Sequence, residues 1–163
     1  MKTLILMRHA KSDWGDFSAR DYDRELNARG KRDAPLMGQR LAERDIQPDA
    51  FTVSTACRAK TTASLMASAL GFSSDDIQWI DELYLASPAT MKSVIRQTAD
   101  DVQTLALLAH NPGVTELVNQ LTNADIDNVP TCGVLTLSLP VDHWSELRNN
   151  AELIDFDYPK RLQ

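Results

Sequence analysis

The sequence predicts an α/β fold, a three-layer α/β/α sandwich around a mostly parallel central sheet. Three observations predict it. Short, wholly apolar runs such as Thr3–Met7 (TLILM) and Thr104–Ala109 (TLALLA) read as strands buried on both faces, the mark of parallel pairing. Segments with apolar residues at helical spacing separate them. No internal repeat, low-complexity tract or Pro/Gly/Ser-rich linker divides the chain, and 163 residues fit a single domain, 1–163, large enough for a real core.

Taken in order, Thr3–Met7 is the first strand. His9 to Glu25 is polar and irregular, and so long a loop in a compact domain is usually functional. Asn27 is placed to cap a helix running to about Arg44, with Ala34, Met37 and Leu41 on its apolar face. Pro35 inside that segment predicts a kink or a later start. Ala50–Val53 is a second strand, and a helix from about Arg58 to Leu70 ends at Gly71. Ile77–Ile80 is a third strand. Ser87-Pro88 pairs an N-cap with a first-turn proline and opens a helix to about Thr98. Thr104–Ala109 is the fourth strand, Asn111-Pro112 starts the next helix, and Gly133–Leu139 is a further strand. Glu146–Asp157 reads as a hairpin turning at Asn149-Asn150.

The apolar stretch before Arg8 is too short for the core of a signal peptide, and no later run reaches the length of a membrane span. The two cysteines, Cys57 and Cys132, lack metal-type spacing, so free thiols in a reducing cytoplasm are expected. A net charge of −6 argues against nucleic acid as a partner, while leaving room for a local cationic pocket.

Ligands of open α/β sheets bind beyond the carboxyl ends of strands. Three such ends carry unusual residues here: Arg8-His9 after the first strand, Ser54 to Arg58 after the second, and His110 after the fourth. A single histidine or arginine at a strand end is most simply a surface or salt-bridging residue. Two arginines and two of the three histidines at converging ends are not explained that way. Together they suit phosphoryl transfer. A neutral imidazole is a good nucleophile toward phosphorus, and guanidinium groups match phosphate oxygens and stabilise the charge that develops on them. The chemistry calls for no metal and no cofactor. His9 and His110 lack HxH or HExxH spacing, and no P-loop, GxGxxG or GxSxG is present. His143, Arg20, Arg29, Lys31 and Arg32 read as structural or solvated groups, and Lys11, two residues from His9, is the exception among the charges.

These segments resemble the histidine phosphatase superfamily, the phosphoglycerate mutase-like fold. LILMRHAKSDW is similar to its N-terminal signature, usually RHG followed by E-S-x-W; STACRAKTTA resembles its second motif, LLAHNPGVTELV its second-histidine motif, and DRELNARGKRDA the segment after the first loop. The short length, with no large insertion, resembles the SixA-type phosphohistidine phosphatases most closely. The resemblance implies that His9 accepts the phosphoryl group, that Arg8 and Arg58 bind phosphate, and that His110 is the second pocket histidine. It places Glu82 near the acid that protonates the leaving group in many members. Ala10 stands where the family usually has Gly, and Lys11 where it usually has Glu.

The expected activity is a phosphatase working through phospho-His9, acting on phosphohistidine in a phosphotransfer protein. Hydrolysis of small phosphoesters and phosphate recognition without catalysis are the alternatives. A phosphorylated protein or small phosphorylated substrate is thus the expected partner, with neither nucleic acid nor membrane involved.

Overall fold

A computed structural model describes residues 1–162. The chain alternates β1 (Lys2–Arg8), α1 (Ala28–Glu43), β2 (Ala50–Ser54), α2 (Cys57–Leu70), β3 (Ile77–Ile80), α3 (Pro88–Arg96), β4 (Thr104–Ala109), α4 (Gly113–Leu121), β5 (Val134–Leu139) and β6 (Glu152–Asp157). Short 3-10 turns at Asp21–Asp23 and Asp81–Leu83 punctuate the connections.

The six strands form one sheet in the order β3-β2-β4-β1-β5-β6. The first four are mutually parallel; β5 runs antiparallel to β1, and β6 antiparallel to β5. The apolar strand runs have a simple cause, since both faces of the sheet are covered. In β1, Leu4 and Leu6 face one core while Ile5 and Met7 face the other; in β4, Leu105 and Leu107 oppose Ala106 and Leu108. Met37, Leu41, Ala63 and Met66 from α1 and α2 fill one side, and Met91, Ile95, Val114 and Leu117 from α3 and α4 the other. The chain winds outward from β1 to β3 with its helices on one face, then returns with them on the opposite face. A constant crossover hand requires that switch. The returning strand, β4, inserts between β1 and β2.

Local signals explain the element ends. Asn27 accepts a hydrogen bond from the Gly30 N–H at 2.9 Å and caps α1. Gly71, at φ 75°, closes α2 in the left-handed region. Ser87 accepts from the Thr90 N–H at 3.2 Å to start α3. The later start offered for the first helix, and the tail hairpin, need correction. α1 runs from Ala28 without a later start, with Pro35 inside it, because Asp33 and Ala34 before the proline and Met37 and Gly38 after it are all buried. The tail is also not a hairpin of its own. Leu147 is drawn into the core and its carbonyl accepts from Arg96 Nη2 at 3.1 Å, so only β6 forms, and it pairs with β5. Among the described residues no helix is long and apolar enough to cross a membrane. Cys57 is partly exposed and Cys132 buried, and both are free.

α1 and α2 meet closely at Gly38, where a Cβ would lie 2.8 Å from the Met66 carbonyl oxygen and 2.9 Å from Ala69 Cβ. Helix propensity favours alanine there by about 1 kcal/mol, but overpacking typically costs about 1–3 kcal/mol. The clash is with backbone, so it wins. Gly38→Ala is expected to lower the urea midpoint at unchanged slope; an unchanged or raised midpoint would contradict this packing.

Candidate active site

The insertion of β4 between β1 and β2 brings three strand ends to one edge of the sheet. Arg8 ends β1 and His9 follows it; Ser54 ends β2, and Arg58 lies in the first turn of α2; His110 follows β4. Arg8, His9, Arg58 and His110 all line one cavity of about 240 Å³, together with Lys11, Asp21 and Arg24. The His9 and His110 rings lie 5.0 Å apart, centroid to centroid.

His9 is buried and held from several directions. Its N–H donates to the Ala109 carbonyl at 3.2 Å, and its carbonyl accepts from the Cys132 N–H at 2.9 Å. The next residue is held by α2: the Ala10 N–H donates to Thr62 Oγ1 at 3.0 Å, and that hydroxyl donates to the Arg58 carbonyl at 2.7 Å. Nδ1 of His9 lies 2.7 Å from the Ala10 carbonyl oxygen, which can only accept, so Nδ1 carries the proton. Nε2 is then left with its lone pair, and it accepts from Arg58 Nε at 3.3 Å. Burial, then the neighbouring His110 and the charges of Arg58 and Arg8, push the His9 pKa down to about 3, although the hydrogen bond to Ala10 acts the other way. Neutral His9 with its lone pair on Nε2 is the form that can attack phosphorus, once the phosphoryl group takes the place of the Arg58 Nε–H at that lone pair.

Arg58 is buried and held at three points. Besides His9, its Nη1 donates to the Asp21 carbonyl at 2.7 Å and its Nη2 to Asp21 Oδ2 at 3.1 Å. Arg8 Nη1 donates to the Val129 carbonyl at 2.9 Å, while Arg8 Nε finds no partner among the described residues. Burial first, and then Arg58, lower the Arg8 pKa from a value so high that it stays a cation. His110 Nε2 lies 2.7 Å from Ser54 Oγ, and its buried Nδ1 is likewise without a partner among the described residues. Burial first, then Arg58 and Arg8, push the His110 pKa to about 3, against the opposing pull of Asp21.

The sequence reading missed Asp21. Its carboxylate accepts from Arg24 Nη2 at 2.9 Å, from Arg58 Nη2, and from the Tyr84 hydroxyl. Although its partial burial acts the other way, those hydrogen bonds and the Arg58 charge hold Asp21 well below the usual carboxylate range. Burial and then Asp21 raise the Tyr84 pKa in turn. Arg24 also donates to Ser12 Oγ, and its guanidinium stacks 3.5 Å over the exposed Trp14 ring. Only the length of the His9–Glu25 loop pointed to Asp21.

Glu82 is not brought to the site. Its exposed side chain lines a separate concavity of about 560 Å³, with Thr52, Gln78, Thr90 and Gln97. In the 3-10 turn Asp81–Leu83, Leu83 is committed to the core, and Tyr84, two residues after Glu82, takes the direction of the cavity. His143 is exposed and 3.0 Å from Asp100.

The model of the histidine phosphatase superfamily (branch 1) matches residues 4–86. A Mycobacterium tuberculosis protein is 33% identical over 167 residues, covering 94% of this chain and all of its own length. A crystal structure from Agrobacterium tumefaciens, provisionally identified as the phosphohistidine phosphatase SixA, is 31% identical, covers 97% of this chain and 98% of its own, and superposes with a TM-score of 0.81. The protein histidine phosphatase SixA complexed with tungstate shares the fold, with a TM-score of 0.84 at 21% identity, over 99% of each chain.

The His9 environment makes a prediction for the free protein. With its pKa near 3, the ring should stay neutral and protonated on Nδ1 from pH 8 down to about pH 4.5, as read by nitrogen NMR. Titration near pH 6.5 would contradict the burial and the cationic surroundings described.

Proposed function

The chain belongs to the histidine phosphatase superfamily, and on that premise we propose that it is a phosphatase that passes a phosphoryl group through His9 Nε2, taking it from phosphohistidine on a protein. The observation that carries the reading is the His9 ring: Nδ1–H held on the Ala10 carbonyl, and Nε2 facing the Arg58 guanidinium.

Two displacements complete the reaction. His9 Nε2 attacks phosphorus in line while Arg8, Arg58 and His110 bind the equatorial oxygens. The unpartnered Arg8 Nε and His110 Nδ1 suit that task, because a buried donor without an acceptor is costly and a phosphoryl oxygen supplies one. Ser54 Oγ lies 2.7 Å from His110 Nε2; in the tautomer in which that hydroxyl donates, the His110 proton sits on Nδ1, where a phosphoryl oxygen can accept it. Water then attacks phospho-His9; the P–Nε2 bond breaks, its electron pair returns to the ring, and phosphate leaves. His9 keeps its Nδ1 proton throughout, so it is a competent leaving group in the second step. Glu82 has no part in this scheme.

A phosphoramidate substrate fits because its imidazole leaving group carries its own proton, whereas the one carboxyl lining the cavity among the described residues is held ionised. A protein substrate fits the lip of the cavity, where Trp14 and Leu85 stand 64% and 56% exposed. The Agrobacterium relative is described by the same activity.

His9→Ala should abolish acid-labile phosphate on the protein and nearly all turnover of a phosphohistidine peptide. Arg58→Ala should lower kcat/KM by about 10²–10³-fold, the usual cost of one preorganised donor. Vanadate, tungstate and phosphate should compete with substrate. Full turnover by the His9 variant would refute the covalent route, and phosphate binding without any phosphate release by the native chain would leave a recognition module instead.

A further inference from the structure

Asp21 is the one carboxylate that lines the cavity among the described residues. Arg58 spans the distance between it and the nucleophile, with Nε on His9 Nε2 and both terminal nitrogens on Asp21. A phosphoryl group seated against Arg58 and attacked from the His9 side releases its leaving group on the side away from His9. Asp21 stands one guanidinium beyond the nucleophile. A carboxylate offers about four acceptor positions, and three are occupied here: Arg58 Nη2 and the Tyr84 hydroxyl at Oδ2, Arg24 Nη2 at Oδ1. One position on Oδ1 is free, on a side chain 44% exposed.

We propose that Asp21 accepts the free ring N–H of the substrate's phosphorylated imidazole and thereby selects a nitrogen-linked phosphoryl group over an oxygen-linked one. The inference rests on the phosphohistidine reading above. In the first step the His9 Nε2–P bond forms and the substrate's P–N bond breaks, with its electron pair remaining on the substrate nitrogen. The substrate ring enters protonated on its other nitrogen and leaves neutral; no proton is transferred. An ionised Asp21 stabilises that positively charged ring, as the Ala10 carbonyl does for phospho-His9. An alkoxide, by contrast, needs a proton that Asp21, ionised beneath Arg24, Arg58 and Tyr84, does not carry.

Asp21 also braces Arg58, and a brace alone would affect every substrate alike. The test is therefore a ratio. kcat/KM is measured for a synthetic phosphohistidine peptide and for para-nitrophenyl phosphate, whose leaving group needs no proton. D21N is expected to lower both, and the peptide by about tenfold more, the usual scale of a charge-assisted hydrogen bond. Equal losses, or a greater loss on the aryl phosphate, would overturn the proposal. Y84F covers the case in which D21N does not fold: removing that hydroxyl leaves the Asp21 charge less shared, so the ratio should rise toward the peptide, and an unmoved ratio would overturn the proposal. Native enzyme that cleaves the aryl phosphate and ignores the peptide would refute the substrate reading itself.

Discussion

One hydrogen bond, from His9 Nδ1 to the carbonyl of Ala10, determines what this cavity can do. It assigns the ring proton to the nitrogen away from Arg58 and leaves the lone pair on Nε2. The carbonyl is adjacent in sequence, so it moves only if the backbone moves, and that backbone is pinned by β4, by Cys132 and by Thr62 of α2. Thr62 in turn is tied to the Arg58 carbonyl. The nucleophile and the principal cation are thus fixed by one short chain of contacts between β1 and α2, rather than by two independent side-chain choices. Burial makes the same selection electrostatically, since a protonated His9 would be a further buried cation beside two arginines.

The site is cationic within an acidic chain. Focusing positive charge into one cleft raises the local concentration of an anionic ligand without making the whole surface sticky to anions. Such a pocket repels itself: Arg8 and Arg58 each lower the proton affinity of their neighbours. Asp21 offsets part of that repulsion, which explains why a carboxylate is tolerated where an anion must bind. Its other contacts, to Arg24 and Tyr84, hold it at the wall instead of letting it occupy the phosphate position.

Much of this was legible in the sequence, and the reason is topological. Wholly apolar runs at Thr3–Met7 and Thr104–Ala109 require a sheet covered on both faces, and polar residues directly after such strands must lie at its edge. Arg8, His9, Arg58 and His110 could therefore be read as one group. What escaped were positions not set by a repeating element. Asp21 sits in an irregular loop whose charges look like any solvated stretch, and its meaning comes only from Arg58 and Tyr84, distant in sequence. Glu82 was placed by resemblance, and the packing of Leu83 sets it facing another concavity. The tail misled because Asn149-Asn150 is a good local turn signal, while the partner that β6 chooses is a strand already made.

The most direct measurement is a crystal structure with vanadate, which adopts the trigonal bipyramid of in-line phosphoryl transfer. Vanadium is expected joined to His9 Nε2, with equatorial oxygens on Arg8, Arg58 and His110 and His9 Nδ1 still donating to the Ala10 carbonyl. Vanadate bound with His9 turned away from it, or seated in another cavity, would contradict it.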